Sequence, residues 1–225
     1  ALRNNYYGIY IQMSTGYVNL QNVSLKDNEY GIFGHKMSTI YLNLKNVSLK
    51  NNNYGIHSYF SNISISNCLI TDGNTAMYMR AGSLQTLLVT DSGIYNYYMV
   101  INHYSPTDAV LVVLYRCTLA GNNRIVKLVN GYRQSSITLD VSKCSISRTR
   151  NNGFDINLDQ SAAKLSFNNN TFFENEGTLL RIWSRLSDNS MPTIRIEENV
   201  FVNNFLSPRY ALIDFSGKGV GTIFT

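Results

Sequence analysis

Residues Val18 to Ile32 read VNLQNVSLKDNEYGI and residues Leu42 to Ile56 read LNLKNVSLKNNNYGI, two segments identical at 11 of 15 positions and offset by 24 residues. A unit of that length cannot enclose a core by itself, so its copies must stack on one another. Six further segments follow the same plan with less identity: ISISNCLITDGN from Ile63, LLVTDSGIYN from Leu87, VVLYRCTLAGNN from Val112, LDVSKCSISRTRNN from Leu139, LSFNNNTFFEN from Leu165 and IRIEENVFVNN from Ile194. Aligned, the eight segments give three apolar columns. The first is Val18, Leu42, Ile63, Leu87, Val112, Leu139, Leu165 and Ile194; the second, two residues on, is Leu20, Leu44, Ile65, Val89, Leu114, Val141, Phe167 and Ile196. The third, five residues further, is Leu25, Leu49, Ile70, Ile94, Leu119, Ile146, Phe172 and Phe201. All 24 positions hold Val, Ile, Leu or Phe, as columns facing a shared interior should.

The spacing of two between the first columns is strand period, and a polar turn then leads into a second alternating stretch such as GIYIQM or GIHSYF. Two strands per repeat are expected, stacked into parallel sheets. Leu20-x-x-Val23-x-Leu25-x-x-Asn28 also fits the leucine-rich-repeat pattern. Two features oppose a horseshoe. The middle apolar position becomes Cys68, Ser92, Cys117, Cys144, Asn170 and Asn199, and the segment after the Asn alternates with period two instead of 3.6.

The recurring φ-x-φ-x-x-N-x-φ-x-x-N, followed by Asn-x-Tyr-Gly-Ile at Asn28 to Ile32 and Asn52 to Ile56, resembles the right-handed parallel β-helix repeat of the pectate-lyase-like superfamily. The resemblance covers the whole chain and implies an all-β solenoid of about eight coils, one domain over residues 1–225. The irregular later coils, YSPTDAVLVVLYRCTLAGNN and SDNSMPTIRIEENVFVNNFLSPRYALIDFSG, are similar to the β-helix ectodomains of Anakonda-type (Bark beetle) tricellular-junction proteins of insects. That likeness implies an extracellular adhesion segment, and a solenoid that starts in mid-coil is expected to be a fragment of a longer extracellular region.

Composition narrows the function. With 29 Asn and 16 Tyr among 225 residues the chain is poor in helix formers and rich in turn and strand formers. The net charge of +5 is scattered without a run or stripe, which argues against nucleic acid as a partner. The longest apolar stretch, Ala109 to Tyr115, is too short to insert in a bilayer, and no signal sequence opens the chain. Three Cys without a C-x-x-C pair give neither a zinc site nor a thioredoxin-type motif.

Polysaccharide hydrolases and lyases of this architecture need carboxylates clustered on adjacent coils, or a calcium cluster beside a basic residue. Here 14 acids spread over all the coils, there is no Asp-Asp pair, and the nearest match to a G-H-G motif is Gly34-His35-Lys36. Alternation places Asp155, Asn157 and Asp159 on one strand face, but side chains along one strand diverge and need ligands from a second element, so a solvated face is expected there and no metal or other cofactor. His35, His57 and His103 have no Ser, Cys or Asp at a fixed offset that would make a triad.

An outward aromatic row is the better candidate site. If Ile9, Ile32 and Ile56 face inward, Tyr10, Phe33 and His57 stack outward on three coils, with Gln12, His35 and Tyr59 two residues on. Four sequons, at Asn22, Asn46, Asn62 and Asn169, are glycosylation candidates; Asn22, Asn46 and Asn169 share an outward turn column. In the neighbouring column, Cys68, Cys117 and Cys144 are expected as buried free thiols and Asn170 and Asn199 as a buried amide ladder, with replacement of the outward Asn169 by Leu nearly silent. The function expected is a non-catalytic extracellular scaffold or adhesion segment with a protein partner, homophilic or heterophilic. The alternatives are a carbohydrate-binding or carbohydrate-active β-helix and an intracellular substrate-recognition β-helix.

Overall fold

The computed structural model describes residues 2–12, 15–35, 40–59, 62–79, 86–104, 109–130, 136–158, 162–185, 192–205 and 213–218. Every strand pairing among them is parallel, and each strand pairs with the equivalent strand of the next coil. The first sheet contains eight strands, from Gly16–Gln21 and Ile40–Lys45 through to Ala162–Asn168 and Thr193–Glu197. Eight strands in one sheet make about seven full turns. The alternation expected from the first two columns appears directly: in Ile40–Lys45 and Ser136–Ser142 every second side chain is buried.

The register reproduces the alignment of the repeats. Val18 pairs with Leu42, Leu42 with Ile63, Ile63 with Leu87, and so on to Leu165 with Ile194. The third column pairs from Leu25 to Phe201 in the same way, and Leu2 extends it by one coil toward the N-terminus. These columns meet in one continuous core that includes Leu44, Leu49, Ile70, Val112, Leu119, Leu139 and Phe172. Phe201 remains 39% exposed because it packs on Phe172 from one side only.

The expectation of two strands per repeat is corrected to three. What the sequence offers as a polar turn contains a short strand centred on the third column, as in Ser24–Lys26, Ser48–Lys50 and Thr118–Ala120. Each is flanked by left-handed corners, for example Asn22 (φ 56°) before Ser24–Lys26 and Asp27 (φ 58°) after it. The third strands, among them Tyr7–Ile11, Tyr30–Gly34, Tyr54–Ser58 and Arg124–Asn130, follow the second corner. Leu69–Met79 and Gly93–Tyr104 run unbroken through the second and third positions and join them into one 16-stranded sheet.

Corners interrupt ladder pairing, and the polar columns restore it. After the first corner, Cys68 N–H donates to Ser92 Oγ at 3.1 Å, Cys117 N–H to Cys144 Sγ at 3.4 Å, Cys144 N–H to Asn170 Oδ1 at 2.9 Å and Asn170 N–H to Asn199 Oδ1 at 3.0 Å. After the second corner an asparagine ladder does the same work: Asn28 N–H donates to Asn52 Oδ1 at 3.1 Å and Asn175 N–H to Asn204 Oδ1 at 3.0 Å. Each column thus supplies a side-chain acceptor to a buried amide that would otherwise go unpaired. The three cysteines are buried and free, as their column predicts.

Asn169 does face solvent, but its φ of 54° changes the expectation for Leu at this position. A branched side chain in the left-handed region costs about 1–2 kcal/mol, so the substitution is not silent.

Candidate functional site

The third strands carry the aromatic surface. Tyr10 pairs with Phe33 and Phe33 with His57, which places the three on consecutive coils of one outward row. Tyr10 and Phe33 stack with centroids 5.7 Å apart and planes 5° from parallel, and His57 meets Phe33 edge-on at 5.0 Å. The row continues to Tyr78, whose ring lies 4.9 Å from His57. Two residues on, His35 lies 6.3 Å from the Tyr10 ring and Tyr59 stacks on His57 at 6.5 Å; Gln12 is exposed just past the end of its strand.

A second row, which alternation alone did not find, lies beside the first. Tyr7 stacks on Tyr30 at 5.5 Å and Tyr30 on Tyr54 at 5.1 Å. Tyr30 also meets Phe33 of the first row, edge to face at 5.1 Å. The two rows are three residues apart because Gly31 and Ile32 are both buried, which breaks the alternation. Gly31 makes this break feasible, since a Cβ there would lie 2.6 Å from the carbonyl oxygen of Gly55 on the next coil. The Tyr-Gly pair of each early repeat is the signal that marks this row.

The rings shield one another, so exposure concentrates at the N-terminal edge, where Tyr6 is 62% and Tyr10 44% exposed. Burial within the cluster, with a hydrogen bond that the Tyr30 hydroxyl donates to Tyr6, pushes the Tyr30 phenol up to about 12 and keeps it neutral. C-terminal to Tyr78 the first row changes character. It becomes Asn102, Lys127, Asp155, Arg181 and Asp214 on successive coils. Asp155 thus lies between two cations, and it shares its strand face with Asn157; Asp159 lies outside the described residues. Among the described residues no group of three or more His, Cys, Asp or Glu side chains is placed to hold a metal ion.

Along the second corner runs a groove of about 700 Å³ lined by Asp27, Glu29, Asn51, Asn53, Asn74 and Tyr98, among others. Asn51 Nδ2 donates to Asp27 Oδ1 at 2.6 Å and Asn53 Nδ2 to Glu29 Oε1 at 2.7 Å. The hydrogen bond from Asn51, aided by Lys26 and opposed by desolvation, holds the Asp27 carboxyl below the usual carboxylate range. Tyr98, 55% exposed, stands at the groove's far end. Sequence reasoning passed over these residues, although Asp27/Asn51 and Glu29/Asn53 recur at the offset of the repeat.

The sequon residues divide in two. Asn22, Asn46 and Asn169 are exposed at left-handed first corners, with Asn46 Nδ2 donating to Asn22 Oδ1 at 3.2 Å. Asn62 lies half-buried in the strand Asn62–Ser66 of the first sheet. Of the histidines, His35 is exposed, His57 lies in the aromatic patch and His103 is buried in the core, so they do not converge.

A family model described as right-handed β-helix region matches residues 7–223. The chain belongs to the right-handed β-helix family. No curated protein and no solved structure matches it. Family membership specifies the solenoid and leaves activity to the surface residues.

Proposed function

We propose that this β-helix is a non-catalytic extracellular recognition scaffold, a segment of a secreted or membrane-anchored adhesion ectodomain, which binds a protein partner through its aromatic face. The observation that carries this reading is the contiguous ring cluster of Tyr7, Tyr10, Tyr30, Phe33, Tyr54, His57 and Tyr78, which lies outside the hydrophobic core. Uncharged aromatic surface on a rigid sheet suits the centre of a protein interface. The likeness of the later coils to Anakonda-type proteins supports an epithelial, tricellular-junction setting.

The groove at Asp27 and Glu29 favours a second reading, carbohydrate binding. Carboxylates on one coil and amides on the next two line it beside an exposed tyrosine, an arrangement suited to sugar hydroxyls and ring faces.

One experiment separates the two. Fluorescent tetramers of the chain are applied to epithelial monolayers with and without prior protease or glycosidase treatment. The protein-partner reading expects binding that protease removes and that Tyr6→Ser with Tyr10→Ser weakens at least tenfold, because aromatic anchors carry about 2 kcal/mol or more each. Binding that glycosidase removes and Asn53→Ala weakens selects the groove. Unaltered binding by both variants excludes both surfaces.

A further inference from the structure

The outward face of the first sheet holds another aromatic pair. Tyr17 and Tyr41 occupy one row on adjacent coils and stack with centroids 4.7 Å apart and planes 17° from parallel. Tyr17 is 74% and Tyr41 38% exposed. Tyr17 covers one face of the Tyr41 ring. The next residue in the row, paired with Tyr41 on the following coil, is Asn62. Rings stacked along the solenoid axis direct their faces along that axis, so the uncovered face of Tyr41 looks over the Asn62 side chain one strand spacing away, about 4.8 Å.

Asn62-Ile63-Ser64 is a sequon on an extended strand. The other sequons differ. Asn22, Asn46 and Asn169 stand at left-handed corners, in a column whose other members are Asn67, Asp91, Arg116, Lys143 and Glu198 and which contains no aromatic ring.

We propose that Asn62 is an N-glycosylation site whose first N-acetylhexosamine docks on the open face of Tyr41, adding one layer to the Tyr17–Tyr41 stack. The proposal rests on the extracellular reading above, because transfer takes place only in the secretory pathway. In that transfer Asn62 Nδ2 bonds to the anomeric carbon of a lipid-diphosphate-linked oligosaccharide. The anomeric C–O bond breaks, its electron pair leaves on the lipid diphosphate, and Nδ2 releases one proton. The attached sugar presents apolar C–H groups, positive at hydrogen, to the negative face of the tyrosine ring. Tyr17 fixes the orientation of that ring from the other side.

The test expresses the chain behind a heterologous signal peptide in cultured animal cells and trims the glycans to a single sugar. Glycopeptide mass spectrometry is expected to find Asn62 occupied, and the trimmed protein is expected to melt about 2–4 °C above Asn62→Gln. The same difference should persist in a Tyr41→Phe background and vanish in Tyr41→Ser, each compared within its own background so that loss of intrinsic stability does not enter. An unoccupied Asn62 in the secreted chain, or an equal shift in the Tyr41→Ser background, overturns the proposal. The extracellular reading fails separately: if the natural protein, isolated from its source, is unmodified at every sequon while the recombinant chain behaves as described, the compartment is wrong and the docking geometry stands.

Discussion

His103 is 1% exposed, packed in its column between Met79 and Leu128, and neither ring nitrogen has a hydrogen-bond partner among the described residues. Burial lowers its pKa to about 4. The unfolded chain, with an ordinary imidazole near 6.5, therefore binds a proton that the folded chain refuses between those values, and stability is lost as pH falls through that window. Denaturant titration should find the protein less stable at pH 4.5 than at pH 7 by about 2–3 kcal/mol from this residue alone. His103→Leu should remove that part of the pH dependence, and an unchanged slope would place the imidazole in solvent. The asparagines give a second comparison. Asn199→Leu deprives both the backbone N–H and the amide of Asn170 of their acceptor, at a cost of about 2–4 kcal/mol. Asn169→Leu should cost about 1 kcal/mol through backbone strain, and Asn169→Gly almost nothing.

The strands and corners depend on what the next coil offers. In the thiol column, Cys144 accepts the Cys117 N–H and bonds to the carbonyls of Leu114 and Ser142. Cys144→Ser keeps an acceptor of similar reach, as Ser92 does in the same column, and should change stability by less than about 1 kcal/mol. Cys144→Ala leaves the Cys117 amide unpaired and should cost about 1–3 kcal/mol, measured by urea unfolding. In the third strand, Gly31→Ala would drive a methyl group into the Gly55 carbonyl oxygen, which belongs to the paired backbone and cannot swing aside. About 1–3 kcal/mol of destabilisation is expected, with a disturbed Tyr30–Tyr54 stack visible in near-ultraviolet circular dichroism.

At the scale of the whole molecule, each coil touches only its neighbours, so the same substitution should cost more inside the stack than at its margin. Phe172 is 2% exposed and Phe201, directly paired with it, is 39% exposed. Phe172→Ala should therefore cost about 3–5 kcal/mol in thermal unfolding and Phe201→Ala less than half of that. Equal losses would mean that Phe201 is covered as completely as Phe172.

The sequence by itself determined the coil, the three apolar columns and their register across Val18 to Ile194, because in-register stacking makes aligned residues spatial neighbours. It also placed Tyr10, Phe33 and His57 in one row, since strand alternation is a local property. The tertiary structure alone decided the short second strand, the contact of the Tyr7–Tyr30–Tyr54 row with the row beside it, the concavity at Asp27 and the union of two strand positions by Leu69–Met79. The second strand is bounded by left-handed corners, most of them held by Asn or Asp among the described residues, but Arg116, Lys143 and Glu198 occupy the same column, so residue type alone does not place every corner. At the second corner of the first coil the holding contact is a side-chain acceptor on the following coil, Asn52 for Asn28, 24 residues away. A contact of that kind exists only once the coils have stacked.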